Sequence, residues 1–169
     1  MEELVKKAKK GDNDSFDKLI QMIKKELYLI AKTRLNSEDD IADCMQDTIL
    51  LAYQNIHKLR KVKYFKTWII RILINECNKI NKNNKQSISL ESDVIDTITS
   101  QDFNDSKIQF DSVISSLNKD EQLILTLYYV SGYTVKEISK ITKINENTIK
   151  TKMKRAKEKL KNNYEGGEY

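Results

Sequence analysis

The chain has 169 residues, 33% of them charged and 39% hydrophobic, with a formal net charge of +5, which limits it to one or two small domains. It contains no proline and only four glycines, where average usage would give about eight prolines and about twelve glycines, so turn-rich β folds are disfavoured. No apolar run approaches the roughly 18 residues that span a bilayer, and the first residues carry charges where a secretory signal has an apolar core, so we expect a cytoplasmic protein without direct membrane insertion.

The first 80 residues carry apolar side chains at helical spacing. After a short segment around Val5, Gly11 interrupts the pattern, and an amphipathic helix follows. Ser37 precedes a run of acidic residues, which is typical of a helix start. A basic, aromatic stretch runs over 58–66, and a further helix begins at about Phe65. The expected core positions of the two middle helices are Phe16, Leu19, Ile20, Ile23, Leu27, Ile30, Ala31, Ile41, Cys44, Met45, Thr48, Ala52 and Ile56.

Charge divides the chain into three segments. Residues 1–85 hold 18 basic and 12 acidic residues, a net charge of +6, whereas residues 86–115 have a net charge of −5 and residues 116–169 a net charge of +4. Between Asn81 and Ser115 the helical pattern dissolves, and loops of this length are uncommon inside one compact domain. The prediction is an all-α protein with two small helical domains, 1–85 and 116–169, joined by a long acidic flexible linker, 86–115.

The last segment has the sequence pattern of a helix-turn-helix. Thr134 and Glu137 form a capping-box pattern that starts one helix, and Asn145 can cap a second helix after a short turn at Lys143. The second helix has an apolar stripe and a cationic outer surface. An isolated lysine-rich helix is usually only solvated, but the cap, the turn and the small polar residues at the helix start together favour DNA binding. Its candidate DNA-binding residues are Asn145, Asn147, Thr148, Lys150, Thr151, Lys154 and Arg155.

Three sequence patterns resemble one known family. Residues 40–48 read DIADCMQDT, similar to D-x-x-D-x-x-Q-[DE]-T; residues 65–75 read FKTWIIRILIN, similar to F-x-x-W-L-x-R-x-x-x-N; residues 148–151 read TIKT, similar to T-V-K-[ST]-R. Together they resemble a bacterial RNA polymerase sigma factor of the extracytoplasmic-function (ECF) type. Asn118, Ser139 and Lys143 depart from the proline, alanine and glycine that are usual there. A left-handed Lys143 would cost on the order of 1 kcal/mol relative to glycine.

The resemblance implies partners and roles. It implies binding to core RNA polymerase and to promoter DNA at minus-ten and minus-35 elements, control by an anti-sigma factor, and no cofactor. The candidate polymerase-binding residues Asp40, Asp43, Gln46 and Asp47 share one helix face by their spacing. The minus-ten residues would be Arg60, Lys61, Lys63, Tyr64, Lys66, Arg71 and Asn75, and the helix-turn-helix residues above would contact the minus-35 element. Phe65 and Trp68 are expected in the core, and Asn75 either contacts DNA or caps structure.

Other functions find less support in the sequence. Cys44, Cys77 and the single His57 form no catalytic spacing and are too few for a structural zinc site, so reduced buried thiols are expected and an enzyme is disfavoured. The main alternative is a stand-alone helix-turn-helix regulator that binds duplex DNA unaided. A purely interacting helical protein is a second alternative.

Overall fold

The computed structural model describes residues 1–88 and 116–165, with side chains through 84 and 162 in the two ranges. Within these ranges it has seven α-helices and no strand, as the all-α prediction requires. The predicted 86–115 linker falls almost wholly outside the described residues. The helices are α1 Glu2–Ala8, α2 Asn13–Lys32, α3 Glu38–Asn55, α4 Phe65–Ile88, α5 Lys119–Leu125, α6 Val135–Thr142 and α7 Glu146–Glu165.

The N-terminal unit is formed by α1 to α4. Gly11, at a φ of +92°, turns the chain between α1 and α2, and the Ser37 hydroxyl caps α3 by accepting from the Asp40 amide at 3.4 Å. All the core positions predicted for α2 and α3 are buried. Phe65, Ile69, Ile70 and Leu73 of α4 complete the core at no more than 1% exposure each. The helical periodicity therefore predicted this unit correctly.

Two short 3-10 turns, Ile56–Lys58 and Val62–Tyr64, connect α3 to α4. The Lys9 ammonium, just after α1, donates a 2.5 Å hydrogen bond to the Leu59 carbonyl between these turns. Helix α1 also contacts the second turn. The segment that joins α3 to α4 is thus held from one side by the first helix of the chain.

The C-terminal unit consists of α5, a π-helical turn at Thr126–Val130, α6 and α7. Thr134 and Glu137 form the predicted capping box at the start of α6. A second capping box, Asn118 with Glu121, starts α5. Lys143 ends α6 in the left-handed region, at φ 62° and ψ 16°, so the sharp turn forms without the usual glycine.

Helix α4 continues to Ile88, beyond Asn81, where the apolar pattern weakens. Its middle contacts α6, and α2 contacts the π-helical turn, so the two units touch. Their buried residues belong to one continuous apolar cluster. Among the helices described, none combines the length and apolar character that crossing a bilayer demands.

Candidate nucleic-acid and polymerase interface

The acidic face of α3 is formed by residues on the side opposite the core. Asp43, Gln46 and Asp47 are exposed along it, while the core side of the same helix carries fully buried positions. Asp40 differs because it is half-buried and its carboxylate accepts a 3.0 Å hydrogen bond from the Asn84 side chain of α4. The predicted residues therefore share one face, on which three are exposed and Asp40 also links α3 to α4.

Leu50 is a residue of this face that the sequence analysis missed. It follows Gln46 and Asp47 by about one helical turn and is 54% exposed. The leucine adds one exposed apolar position to an otherwise charged and polar face. The exposure of Leu50 could have been predicted from the sequence, because Leu50 does not fall at the helical spacing of the buried residues of α3.

The basic segment between α3 and α4 presents four of the predicted minus-ten residues. Arg60, Lys61, Lys63 and Tyr64 are all exposed. The Lys63 ammonium lies 5.1 Å from the centre of the Tyr64 ring, a cation–π contact. An exposed ring surrounded by cations can stack on an unpaired base and pair with phosphates, which is how single-stranded DNA is held.

The predicted minus-ten residues on α4 are more constrained. The Lys66 ammonium is 2.8 Å from the Glu26 carboxylate, so it already has an ionic partner within the protein. Arg71 and Asn75 are exposed, but the Arg71 guanidinium donates to the backbone carbonyl of Lys140 in α6, with 3.1 Å from Nε. Lys66 and Arg71 are thus engaged in internal contacts that the sequence analysis did not foresee.

The two aromatic residues expected in the core of α4 differ in burial. Phe65 is 1% exposed, as expected. Trp68, at 6.1 Å between ring centres, packs against Phe65 but is only half-buried. Trp68 is therefore only partly in the core, at its edge.

Helix α7 and its cap Asn145 present all seven predicted helix-turn-helix residues to solvent. Ile149, Met153 and Ala156 are buried on its other side. The Asn145 side chain accepts from the Asn147 amide at 2.8 Å, which confirms the predicted cap. The exposed residues are Asn145, Asn147, Thr148, Lys150, Thr151, Lys154 and Arg155. A helix that is polar on one side and anchored by its apolar side has the form required to enter a major groove.

Two lysines of the cationic helix α7 are paired with carboxylates of α5. The Lys152 ammonium is 3.0 Å from Asp120, and the Lys159 ammonium is 2.8 Å from Glu121. Burial would raise the pKa of the Glu121 carboxyl, but the bonds from Lys159 and from the Asn118 amide outweigh it and the pKa is lowered. These two lysines attach α7 to α5, so the cationic surface is narrower than the sequence indicates.

The two cysteines lie together in the core of the N-terminal unit. Cys44 of α3 and Cys77 of α4 are fully buried free thiols whose sulfur atoms are 3.2 Å apart. The hydrogen bond with Cys44 and burial raise the pKa of the Cys77 thiol. In residues 1–88 and 116–165, no three His, Cys, Asp or Glu side chains come together as a metal site.

Family models match two parts of the chain that correspond to these surfaces. Residues 19–85 match the model described as Sigma-70 region 2, and residues 107–160 match the model described as Sigma-70, region 4. The first includes the acidic face of α3 and the basic segment, and the second includes the helix-turn-helix. The two matches leave out α1.

Two curated proteins that match nearly the whole chain are also sigma factors. The chain is 26% identical over 173 residues to ECF RNA polymerase sigma factor SigW of Bacillus subtilis, covering 93% of this chain and 92% of that protein. It is 24% identical over 176 residues to the ECF RNA polymerase sigma-E factor of Haemophilus influenzae, covering 94% and 92%.

Two solved structures share the fold. CnrH, in complex with the cytosolic domain of CnrY, superposes with a TM-score of 0.71 at 16% identity, over 99% of this chain and 98% of that chain. The sigma factor RpoE of Bartonella quintana, in complex with the anti-sigma factor NepR, gives a TM-score of 0.73 at 19% identity, over 90% and 98%.

Proposed function

The chain belongs to the ECF type of sigma factors, and from this premise we propose how its exposed residues direct RNA polymerase to promoters. In this proposal the protein acts by binding RNA polymerase and promoter DNA, both of which are found in the cytoplasm. The observation that carries the proposal is that three separate polar surfaces occur on one chain: the acidic face of α3, the basic segment before α4 and the outer side of α7.

The acidic face of α3 binds core RNA polymerase in this proposal. Asp43 and Asp47 supply charge that steers and orients the partner, while the exposed Leu50 supplies apolar area. Asp40 contributes less to the partner because its carboxylate is bound to Asn84. A cationic helical surface on the polymerase, with an apolar position opposite Leu50, would complement this face.

The other two surfaces bind the promoter. Arg60, Lys61, Lys63 and Tyr64 hold the unpaired minus-ten strand by stacking and phosphate contacts. The start of α7 reads base edges of the minus-35 element through its small polar residues, and Lys150, Lys154 and Arg155 contact phosphates. An anti-sigma factor would act by covering one or more of these surfaces.

Transcription in vitro tests the function directly. The purified full chain is mixed with bacterial core polymerase and a genomic fragment library, and the 5′ ends of the transcripts are mapped. We expect initiation at sites that share a minus-ten and a minus-35 sequence, and none from core polymerase alone. A stand-alone regulator would instead shift duplex DNA without polymerase and show symmetric half-sites.

Two neighbouring lysines provide a matched test of the minus-35 surface. Lys150 is exposed, whereas Lys152 is paired with Asp120. Lys150→Ala is expected to weaken minus-35 duplex binding and to reduce its salt slope by about 1. Lys152→Ala is expected to lower the free energy of unfolding and to leave the salt slope unchanged. A salt slope for Lys150→Ala that equals the wild-type slope would contradict a phosphate contact at Lys150.

A further inference from the structure

A cleft lined by lysines opens between the end of α1 and the second 3-10 turn, outside the surfaces described so far. It is open to solvent and has a volume of about 390 Å³. In the described range 1–88, four lysines, one carboxylate and one valine line it. These residues are Glu3, Lys6, Lys7, Lys9, Lys10 and Val62.

Lys9 fixes the cleft beside the basic segment. Its ammonium donates to the Leu59 carbonyl at 2.5 Å, and α1 contacts the second turn. Val62 belongs to that turn and is half-buried, with exposed Lys61 and Lys63 on either side of it in the chain. The cleft is therefore continuous with the surface that holds the minus-ten strand in the proposed function.

The other three lysines of the cleft are exposed. Lys6 is 3.5 Å from Glu3, but both side chains are more than half exposed, so the pair contributes little. Lysines in a last turn suit the negative end of a helix dipole, which accounts for Lys6 and Lys7 without a ligand. It does not account for four lysines within residues 6–10, because like charges this close repel each other. A polyanion in the cleft would remove that repulsion.

The turn after α1 pairs the carbonyl groups that would otherwise repel an anion at this helix end. The Lys7 carbonyl accepts from the Asp12 amide at 3.2 Å, and the Ala8 carbonyl accepts from the Gly11 amide at 3.0 Å. The Asp12 carboxylate does not line the cleft and accepts from the Ser15 hydroxyl at 2.5 Å. The ammonium groups are therefore the main charges that face the cleft.

We propose that the cleft binds phosphates of the unpaired promoter strand, through Lys6, Lys7 and Lys10, where that strand continues past the segment 59–64. The inference rests on the proposed function and extends the minus-ten surface to a helix that neither family match includes. An ammonium on a flexible stem binds a phosphate as a point charge and reads no base. The cleft therefore adds affinity and salt dependence without sequence preference. Lys9 is a positioning residue, since its ammonium is bound to Leu59.

The test removes two charges from the cleft and leaves Lys9 and the segment 59–64 intact. The cleft variant is Lys7→Gln with Lys10→Gln. The control is Lys24→Gln with Lys25→Gln, which removes two charges from exposed positions of α2 that do not line the cleft. Glutamine and lysine have nearly equal helix propensity, so circular dichroism should show equal helicity for both full-length variants.

Fluorescence anisotropy measures the affinity of each protein for a random-sequence single-stranded DNA 20-mer over a range of salt concentrations. Each phosphate contact on a single strand contributes about 0.7 to the slope of log affinity against log salt. We expect the slope of the cleft variant to be smaller than that of wild type by about 1.4, with binding about 25-fold weaker at about 0.1 M salt. The control should keep the wild-type slope.

A smaller slope in the cleft variant alone supports the proposal. An unchanged slope in that variant would overturn it, and so would an equal fall in the control or a wild-type protein that does not bind the 20-mer. Failure of the proposed function would show differently, because wild type would then not initiate transcription with core polymerase, whatever the salt slopes are. Initiation by wild type together with an unchanged slope in the cleft variant would remove the cleft alone.

Discussion

Replacing Lys143 by glycine should stabilise the protein. Lys143 is the one non-glycine residue with a positive φ in the described parts of the chain. A side chain in that conformation lowers the free energy of unfolding by about 1–2 kcal/mol, a cost that glycine avoids. Glycine offsets part of this gain, about 0.4–1 kcal/mol, because it makes the unfolded chain more flexible. The net gain in the free energy of unfolding is about 0.5–1 kcal/mol, which corresponds to a melting temperature about 1–4 °C higher at this chain length.

Urea unfolding followed by far-UV circular dichroism measures this gain as a higher midpoint with an unchanged slope. Lys143→Ala is the matched control. Alanine has the same steric problem as lysine in the left-handed region, so its midpoint should stay near that of wild type. A neutral or destabilising glycine variant would refute the reasoning, and equal gains for both variants would assign the effect to the lost charge.

Three further predictions concern the acidic face, a buried carboxylate and the thiols. Asp43→Arg or Asp47→Arg should abolish pull-down of core polymerase with helicity intact; normal pull-down by both would remove the assignment. Because the pKa of Glu121 is lowered on folding, its stabilisation is full above the unfolded pKa of about 4.5 and is lost as the pH falls below it. The difference in unfolding free energy between wild type and Glu121→Gln should therefore shrink between about pH 5 and pH 3 in urea titrations. Cys44 and Cys77 should react with a thiol reagent only upon unfolding, and rapid labelling of the native protein would show that they are accessible.

Local features were predictable from the sequence because neighbouring residues determine them. The Thr134 and Asn145 caps and the buried face of α2 follow from residue types at fixed short spacings. The left-handed Lys143 does not, since only the resemblance, with its usual glycine at this position, suggested that conformation. The capping box of Asn118 and Glu121 could also have been predicted, because an acidic residue three positions after a capping residue is its signature.

Contacts between distant residues were not predictable in this way. Lys66 looks like a free cation in a basic segment, but the packing of α2 on α4 brings Glu26 to it. In the same way, the docking of the two units occupies Arg71 and Arg34 with groups that are 69 and 86 positions away. The spacing of residues along one helix shows which of them share a face, but it does not show which distant residues that face contacts.

The bond from Lys9 to Leu59 has a consequence for how the protein can be shortened. The matched family segment begins at residue 19, so α1 would be omitted from a fragment cut to that boundary. Such a fragment would lose the support behind the segment 59–64 and expose the side of the core that Val5 and Ala8 cover. We expect it to remain helical but to melt promoter duplex poorly, because the segment 59–64 would no longer be held by the N-terminal residues.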